Sequence, residues 1–328
     1  VKSIIMKVVH LVLSNSFAGI EQHVNELLTN INNIDTILIC NESITKNFNS
    51  KISTISIKNF GRRSFLGKYK LKKLLNSISP DIVHTHGSKT TSIIKSINNN
   101  AYKHVATVHG IKKNSKVYES ADFVIGVSKN ALSGIETKKK VITNWWQPEL
   151  KNIQSNSKEF ALAIGRLEKV KGFDLLISSW KNIKSNLIII GSGQEKESLM
   201  QLIEQYNLSK KIKIIDEVKS YELNDYYSKA SVLIISSIDE GGPRVALEAL
   251  YLKIPVLSTN VGHMNQIFPN DFLAEKNNLA SLTKLLEEYV DDINLLNQDA
   301  IFEYVKEEFS LEEKILQTVS VYKDILQS

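Results

Sequence analysis

Residues 230–250 read ASVLIISSIDEGGPRVALEAL, and this stretch decides the fold of the chain. Its first part, Ala230 to Ser236, is a short apolar run rich in β-branched residues, which predicts a buried parallel strand. Gly241 and Gly242 then interrupt the apolar pattern, and Pro243 suits the first turn of a new helix. A strand, a glycine-rich turn and a helix in this order indicate an α/β protein.

Two carboxylates flank that turn. Glu240 stands at the carboxyl end of the predicted strand, where open α/β sheets bind their ligands. Glu248 lies on the second turn of the following helix, and its carboxylate can reach back because helical side chains lean toward the helix N-terminus. Carboxylates only accept hydrogen bonds, whereas a helix N-terminus attracts anions. The arrangement therefore predicts a ligand that carries both hydroxyl groups and phosphate.

Length and composition are those of a soluble globular protein of two domains. The chain has 328 residues, of which 42% are hydrophobic and 23% are charged. Cys40 is the only cysteine, which excludes an intrachain disulfide and favours a reducing cytoplasm. No apolar run approaches the ~18 residues that cross a bilayer, and the start is too quickly polar for a signal peptide. Translation from Met6 is an alternative start.

The net charge of +6 hides an asymmetry between the two halves of the chain. Residues 1–147 contain 21 Lys and Arg against 8 Asp and Glu, a balance of +13. Residues 148–328 contain 20 against 27, a balance of −7. A basic half joined to an acidic half implies different partners for each, and the basic half is expected to face an anionic surface or substrate.

Apolar strand patterns alternate with helical patterns along the whole chain, which predicts parallel sheets with crossover helices. We expect two Rossmann-like domains that face a cleft, at 1–147 and at 159–308. A polar linker is expected at 148–158, and a C-terminal helix at 309–328 is expected to pack back toward the first domain. In the first half the predicted strands are 7–13, 36–40, 53–57, 82–85, 104–108 and 123–127, the last followed by a helix, and the predicted helices are 20–30, 66–78 and 90–98.

Further motifs occur in a fixed order along the chain, and together with the glutamate pair they carry a resemblance. The set resembles the retaining glycosyltransferases of the GT-B fold, family 4, whose signature is two glutamates separated by seven residues. The matching segments are Ala18-Gly-Ile-Glu-Gln-His-Val24, Pro80-Asp-Ile-Val-His-Thr-His86, Thr107-Val-His-Gly110, Val124-Ile-Gly-Val-Ser128, Ile164-Gly-Arg-Leu-Glu-Lys-Val-Lys-Gly-Phe-Asp-Leu-Leu-Ile177 and Leu187-Ile-Ile-Ile-Gly-Ser-Gly193.

Two cations of the second half are expected to stabilise the leaving diphosphate. Arg166 follows an apolar strand at 160–164, and Lys171 precedes a helix, so both project from the ligand-binding edge. Negative charge grows on the diphosphate as the sugar–nucleotide bond breaks, and fixed cations lower that barrier. Arg166 can donate hydrogen bonds to two phosphate oxygens at once through its planar guanidinium group, while Lys171 supplies a point charge. Two solvated loop cations are the alternative interpretation.

The resemblance implies that Glu248 holds the ribose hydroxyls of the nucleotide and that Glu240 holds a hydroxyl of the donor sugar. A glutamate nucleophile at Glu240, or plain solvent-exposed side chains at both positions, are the alternatives. The resemblance further implies retention of configuration, without an assigned protein nucleophile. It also implies that the domain at 1–147 binds the acceptor and that the domain at 159–308 binds the nucleotide sugar. The residues expected to bind the donor are Gly19, Gly165, Arg166, Lys171, Val218, Glu240, Gly241, Gly242, Pro243, Arg244, Val245 and Glu248.

Three positions of the first half are expected near the ligands. Gly19 follows the first strand, where a missing side chain lets backbone approach phosphate. His109 matches the family histidine near the donor sugar, with a core or loop histidine as the alternative, and His86 closes another strand and is a weaker candidate for contact with the acceptor. The expected catalytic residues are His109, Glu240, Arg166 and Lys171.

Some positions depart from the family pattern, and these departures bear on which nucleotide sugar is the donor. Trp145 and Trp146 replace the usual glycine after Asn144, which predicts a bulkier edge there, while Gln266 replaces a later glutamate and Glu217 a glycine near the base. The chain contains no Asp-x-Asp motif and no His/Cys cluster with metal-ligand spacing along the sequence. We therefore expect no metal and no cofactor.

A basic amphipathic segment, Arg62 to Leu75, suggests contact with a membrane. Phe65, Leu66 and Tyr69 can share an apolar stripe with Leu74 or Leu75 beside cationic residues, a pattern that suits anionic headgroups. Packing of that stripe on the domain is the alternative. The residues assigned to the acceptor or the membrane are Arg62, Arg63, Lys68, Lys70, Lys72, Lys73 and His86.

These features together predict a retaining, metal-independent glycosyltransferase. It would move a hexose or N-acetylhexosamine, most simply from a UDP-sugar, to a lipid-linked, lipopolysaccharide-type or capsule-type saccharide. It would lie in the cytoplasm, peripheral on the inner face of the plasma membrane. A nucleotide-sugar epimerase, a non-catalytic sugar-nucleotide-binding subunit and a basic nucleic-acid-binding protein are the alternatives; the last leaves the glutamate pair unexplained, so no nucleic-acid partner is expected.

Overall fold

The computed structural model describes residues 6–97, 100–110, 115–146, 150, 158–219 and 222–327. The chain divides into two compact units, of which the first consists of Val1–Asn144 and Leu311–Ser328 and the second of Trp145–Ser310. Apart from Leu150 and Lys158, the linker predicted at 148–158 lies outside the described residues, as does the start of the chain before Met6.

The described part of the first unit contains one seven-stranded parallel sheet with the strand order β3-β2-β1-β4-β5-β6-β7. Its central strands are buried except at Lys7 and Lys103, the half-buried first residues of two of them, as expected for strands covered by helices on both faces. The strands are β1 (Lys7–Val12), β2 (Asp35–Asn41), β3 (Thr54–Ile57), β4 (Ile82–His86), β5 (Lys103–Val108), β6 (Phe123–Gly126) and β7 (Lys139–Val141).

The second unit contains a six-stranded parallel sheet, within its described residues, with the order β10-β9-β8-β11-β12-β13. The strand predicted at the start of the opening motif is confirmed and lies in the middle of this sheet. The strands are β8 (Phe160–Ile164), β9 (Leu187–Ile190), β10 (Ile212–Ile215), β11 (Ala230–Ile235), β12 (Val256–Thr259) and β13 (Leu273–Ala274).

Helices cover both sheets, and short 3-10 turns join several of the elements. The helices are α1 (Gly19–Asn30), α2 (Phe65–Ile78), α3 (Ser88–Ile97), α4 (Phe173–Ser179), α5 (Lys196–Gln205), α6 (Leu223–Lys229), α7 (Arg244–Tyr251), α8 (Met264–Ile267), α9 (Leu279–Tyr289), α10 (Asp299–Glu308) and α11 (Leu311–Gln327). The 3-10 turns are Glu42–Asn47, Tyr118–Ser120, Asn130–Leu132, Lys169–Lys171, Asn270–Phe272 and Ile293–Leu295.

Helix α11 completes the first unit although it comes last in the sequence. It packs beside α1, and Val321, Tyr322 and Ile325 are buried in the apolar core on that face of the sheet. The buried side of α11 therefore belongs to the core of the first unit. Its position also brings the Tyr322 hydroxyl to strands β1 and β4.

The helix predicted after residues 123–127 is wrong. A single 3-10 turn at Asn130–Leu132 follows β6, because Gly134 then adopts a left-handed conformation (φ +70°) that a continuing helix could not contain. A short strand, Lys139–Val141, follows and was missed. It is an edge strand whose first two residues are exposed lysines, so it lacks the apolar signal of the central strands.

Glycines of the second unit allow three loops to approach closely. Gly172 has φ +62°, and a Cβ there would lie 2.2 Å from the carbonyl oxygen of Ser236. A Cβ on Gly191 would lie 1.8 Å from the carbonyl oxygen of Gly165. Side chains at either position are excluded by backbone atoms, so these glycines hold the segments after β8, β9 and β11 together.

Both domains are therefore Rossmann-like α/β units with parallel sheets, as predicted. Within the described residues, no helix combines the length and apolar character needed to cross a membrane.

Candidate functional site

The centre of the second unit's site is an ion pair between Lys171 and Glu240. The Lys171 Nζ lies 2.7 Å from the Glu240 Oε1, and the two side chains are 18% and 13% exposed. The Ser237 hydroxyl donates to the same carboxylate oxygen at 2.6 Å. The structure thus brings together two residues that sequence reasoning assigned to separate tasks. Each compensates the other's charge at the edge of the sheet.

Hydrogen bonds to backbone carbonyl oxygens fix the loop that carries Lys171. The Ser236 hydroxyl donates to the carbonyl oxygen of Lys171 at 2.9 Å, and the Ile238 N–H donates to the carbonyl oxygen of Val170 at 2.8 Å. The 3-10 turn Lys169–Lys171 is therefore tied to the segment that follows β11. Together with the left-handed Gly172, these bonds hold the ammonium group against Glu240.

Arg166, the second predicted phosphate ligand, lies apart from this ion pair. Its side chain is 71% exposed and donates to the Glu168 Oε1 at 2.5 Å. Solvated ion pairs of this kind contribute little to stability and exchange readily. The structure therefore places Arg166 just after the carboxyl end of β8, paired with Glu168, a partner that sequence reasoning did not consider.

Glu248 is buried rather than solvent-exposed, which excludes the alternative of a surface helical glutamate. It is 6% exposed on α7, and the Tyr227 hydroxyl donates to its Oε2 at 2.9 Å. Burial, followed by the neighbouring Glu248 carboxylate, raises the pKa of Tyr227 well above its usual value, so the phenol stays a donor. Sequence reasoning missed Tyr227 because α6, which carries it, gives no chemical motif.

The glycine-rich turn before α7 is closely packed. Pro243 is the N-cap residue, so the helix begins at Arg244, one residue later than the predicted first-turn position of the proline. Gly262 is left-handed (φ +58°), and a Cβ there would lie 2.9 Å from the Cα of Gly242. The Gly241–Gly242 segment thus packs against a second turn, while Gly241, Gly242, Arg244 and Val245 are partly exposed.

The remaining donor-site predictions lie nearby in the second unit. Gly165 is half-buried beneath the aliphatic part of Lys171, since a Cβ there would lie 3.3 Å from the lysine Cε. Val218 packs against the apolar cluster that includes Leu247. The Glu217 N–H donates to the Ser192 hydroxyl at 3.1 Å, which joins the segment after β10 to the segment after β9.

The two tryptophans that depart from the family pattern pack inside the second unit. Trp145 is 1% exposed, and Trp146 stacks on Tyr251 with ring centroids 4.0 Å apart and planes 10° apart. The Arg244 guanidinium lies 6.0 Å from the Trp145 ring. These side chains support α7 from within the core, so their bulk is accounted for by packing in that unit.

In the first unit, Gly19 opens helix α1. The Glu21 carboxylate accepts from the Ala18 N–H at 2.9 Å and from the Ser14 hydroxyl at 2.6 Å, which closes the loop after β1. A Cβ on Gly19 would meet no atom within 4 Å. Protein packing therefore does not demand glycine here, and the space in front of the helix is left open.

His109 and His86 are in contact, at the carboxyl ends of β5 and β4. The His86 Nδ1 lies 3.2 Å from the His109 Nε2, and the His23 ring meets the His109 ring edge-on at 4.7 Å. His86 is 4% exposed, whereas His109 is half-buried. A ligand in this region would touch His109 directly and His86 only through it.

Six of the seven histidines belong to the first unit, and their closeness was invisible in the sequence. Two triads offer ligand atoms within 4.8 Å of one another, and either could hold a transition-metal ion, in contrast to the expectation of no metal-ligand cluster. The facing nitrogens are spaced for hydrogen bonds to one another. The triads are His10, His84 and His86, and His23, His86 and His109.

The basic helix α2 presents its apolar residues on two sides, so the single predicted stripe is wrong. Leu71 and Leu75 are buried in the core, whereas Phe65, Leu66 and Tyr69 are 80%, 71% and 61% exposed. The cations around the helix are exposed or half-buried, and the Arg62 Nη2 also donates to the Ser88 hydroxyl at 2.9 Å. Those cations are Arg62, Arg63, Lys68, Lys70, Lys72 and Lys73.

Comparison with known protein families gives two matches that cover most of the chain. Residues 147–301 match the family described as Glycosyl transferases group 1. Residues 11–130 match the family described as Glycosyl transferase 4-like.

Individual relatives point the same way. An uncharacterised glycosyltransferase of Methanocaldococcus jannaschii is 27% identical over 94% of this chain and 95% of its own length. A Campylobacter jejuni N-acetylgalactosamine-N,N'-diacetylbacillosaminyl-diphospho-undecaprenol 4-alpha-N-acetylgalactosaminyltransferase is 27% identical over 65% of this chain and 61% of its own. The structure of Anabaena Alr3699/HepE in complex with UDP superposes with a TM-score of 0.81 at 16% identity, covering 97% of this chain and all of that one.

Proposed function

We propose that this chain, a GT-B glycosyltransferase with a group 1 domain and a glycosyltransferase 4-like domain, is a retaining, metal-independent hexosyltransferase. It moves a hexose or N-acetylhexosamine from a UDP-sugar to a lipid-linked saccharide. The observation that carries the proposal is the Lys171–Glu240 ion pair at the sheet edge, together with the buried Glu248 on α7.

The ion pair suits donor chemistry because it holds both kinds of group that a nucleotide sugar needs. Lys171 supplies the positive charge that stabilises the departing diphosphate, and Arg166 adds a second charge when it leaves Glu168. A cation already held in place by Glu240 requires little reorganisation during the reaction. No divalent ion is needed in this scheme.

Glu240 acts as a positioning group for a sugar hydroxyl rather than as a nucleophile. Its Oε1 accepts hydrogen bonds from both Lys171 and Ser237, at 2.7 and 2.6 Å. Two such donors stabilise the carboxylate and reduce its tendency to attack carbon. Retention is then achieved by attack of the acceptor on the same face from which the diphosphate leaves.

Glu248 recognises the ribose. The Tyr227 hydroxyl fixes the orientation of its carboxylate, which lies on the second turn of α7. A buried carboxylate that accepts from both ribose hydroxyls would distinguish a nucleotide from a free sugar phosphate. Uracil is the proposed base because the UDP-bound Anabaena structure has the same fold.

The acceptor is proposed to be lipid-linked, and α2 to rest on an anionic membrane on its cytoplasmic face. Phe65, Leu66 and Tyr69 project into solvent from the first turns of this helix among six cations. Burying an exposed apolar side chain gains roughly 1.5–3 kcal/mol, and each cation near an anionic surface adds about 1 kcal/mol. The Campylobacter relative is named for a diphospho-undecaprenol-linked acceptor, which fits this arrangement.

Incubation with UDP-, GDP- and ADP-sugars tests the donor assignment. We expect one UDP-sugar to raise the unfolding temperature and to be consumed when lipid-linked saccharides are supplied. Conversion of the donor to its epimer without an acceptor would instead establish the epimerase alternative. Protection by no nucleotide sugar would contradict the proposal.

A further inference from the structure

A continuous series of hydrogen-bonded side chains extends through the core of the first unit to His109. We call it the histidine chain. Its links join β1, β4, β5 and α11, and every member except His109 is buried. The distances are 2.7 Å from Thr107 Oγ1 to His84 Nε2, 2.6 Å from His84 Nδ1 to Tyr322 OH, 3.3 Å from Tyr322 OH to His10 Nε2, 3.1 Å from His10 Nδ1 to His86 Nε2 and 3.2 Å from His86 Nδ1 to His109 Nε2.

The buried imidazoles of the chain are neutral at physiological pH. Burial lowers the pKa of His10 to about 3 and, together with the neighbouring histidines, holds the pKa values of His84 and His86 well below their usual range. A neutral imidazole has one N–H donor and one acceptor nitrogen. Each link therefore fixes the direction of the next. The buried Tyr322 hydroxyl must donate to one of its two histidine neighbours, so the chain has two consistent arrangements.

The geometry at Tyr322 decides between these arrangements. Its hydroxyl lies 2.6 Å from the His84 Nδ1 but 3.3 Å from the His10 Nε2. Bonds donated by O–H are characteristically shorter than bonds donated by N–H. Tyr322 therefore donates to His84 and accepts from the Nε2–H of His10.

The remaining links follow from that choice. His10 carries its proton on Nε2, so its Nδ1 accepts from the Nε2–H of His86. The Nδ1 of His86 in turn accepts from the Nε2–H of His109. At the other end, His84 donates its Nε2–H to the Thr107 hydroxyl.

We infer that the histidine chain holds His109 as the Nε2–H tautomer, so that its Nδ1 can accept but not donate a hydrogen bond and would act as an acceptor toward a substrate hydroxyl. Tyr322, His10 and His86 are then positioning residues that act through His109. The role toward a sugar hydroxyl rests on the proposed function; the tautomer does not. The chain fixes an acceptor without introducing a buried charge.

Tyr322→Phe is the variant that separates this role from plain packing. It leaves the ring but removes the acceptor for the His10 Nε2–H. An orphaned buried N–H is more costly than an orphaned lone pair, so the segment from His10 to His109 should reverse to Nδ1–H tautomers. We expect the Nε2–H population of His109 to fall about tenfold, and kcat to fall by a similar factor with little change in KM.

Long-range ¹H–¹⁵N correlation spectra of ¹⁵N-histidine-labelled protein, without substrates, read each tautomer directly. In the unmodified protein at neutral pH, His10, His84, His86 and His109 should all show Nε2–H. Protonation on Nδ1 at His10, His86 or His109, or an imidazolium at His10 or His86, would overturn the inference. This measurement does not depend on any variant folding.

The matched control is Tyr118→Phe, the same change at another fully buried tyrosine of this unit, outside the chain. It should leave the histidine tautomers and kcat unchanged, whereas unchanged tautomers in Tyr322→Phe would overturn the inference. One equivalent of zinc in the purified protein, lost on His23→Gln, would also overturn it, because the nitrogens would then face a metal. If the tautomers are as predicted but no sugar is transferred, the proposed function is contradicted and the inference about the tautomers stands.

Discussion

The two units handle ionisable groups in opposite ways. In the second unit, Lys171 and Glu240 form an ion pair at the sheet edge, with the Lys171 Nζ 2.7 Å from the Glu240 Oε1. In the first unit, the histidine chain is kept neutral by burial, and its members bond to one another and to hydroxyls. A charged pair can stabilise charge that develops on a ligand, whereas a neutral chain can only direct hydrogen bonds. Under the proposed function, the second unit would stabilise developing charge and the first unit would orient a hydrogen-bond acceptor.

Mild acid should destabilise the first unit more than the second, and this is the largest expected difference between them. Folding lowers the pKa of His10 to about 3 and of His104 to about 4, mainly through burial. The unfolded chain therefore binds more protons below about pH 6.5, and the stability that is complete above that pH is lost as pH falls. At pH 5 each of these histidines costs roughly 2 kcal/mol, with further losses at His84 and His86.

Tryptophan fluorescence and amide exchange can follow the two units separately. Trp145, Trp146 and Trp180 are all the tryptophans of the chain, and all lie in the second unit. Between pH 7 and 5, amide exchange should accelerate in β1 and β4 while tryptophan emission changes little. If tryptophan emission changed over the same pH range as amide exchange, or if amide exchange in β1 did not accelerate, the predicted difference in acid sensitivity between the units would be wrong.

Lys171→Ala removes the positive charge from the donor site. Turnover should fall ~10²–10³-fold, the scale on which one charge-stabilising group contributes to a transition state. Lys169→Ala is the control, since Lys169 is exposed in the same 3-10 turn. Arg166→Ala should cause a loss of the same order if the arginine exchanges Glu168 for phosphate. Near-native turnover of Lys171→Ala would contradict the proposed contact between Lys171 and the diphosphate.

Reversing Arg62, Arg63 and Lys72 to Glu tests the surface of the first unit. Binding to vesicles that contain anionic lipid should weaken by roughly 100-fold or more, because three cations at about 1 kcal/mol each are lost. Reversing Lys46, Lys51 and Lys58, three exposed lysines of the same unit, makes the same charge change as a control. Equal losses in both triple variants would mean that net charge, not α2, binds the membrane.

Glu248→Gln should weaken nucleotide binding by ~1–3 kcal/mol, because a neutral amide accepts weaker hydrogen bonds from the ribose. Tyr227→Phe should have a smaller effect in the same direction, since Tyr227 only orients the carboxylate. Glu204→Gln, at an exposed position of α5, is the control. Calorimetry with UDP measures all three, and unchanged affinity in Glu248→Gln would exclude the ribose contact.

The smallest expected effect is that of a chelator. EDTA should leave transfer largely intact, because Lys171 and Arg166 supply the charge that a divalent ion supplies elsewhere. Full inhibition that added metal reverses would place a catalytic ion in the site.

Local patterns predicted the framework of both domains, and distant contacts escaped them. Strand β11 and helix α7 follow from an apolar run and a glycine–proline break within one segment. The bond between His84 and Tyr322 joins residues 238 positions apart, which no local periodicity encodes. Sequence reasoning likewise identified the two glutamates of the motif but not their partners, because Tyr227 and Ser237 carry no motif of their own.

Retaining transfer from a UDP-sugar is the central claim, and the anomer of the released sugar tests it most directly. Slow hydrolysis of the α-linked UDP-sugar, followed by proton NMR before mutarotation, requires no acceptor. The account predicts that the α-anomer appears first and that Lys171→Ala abolishes its formation. First appearance of the β-anomer, or an epimerised nucleotide sugar with no release, would contradict it.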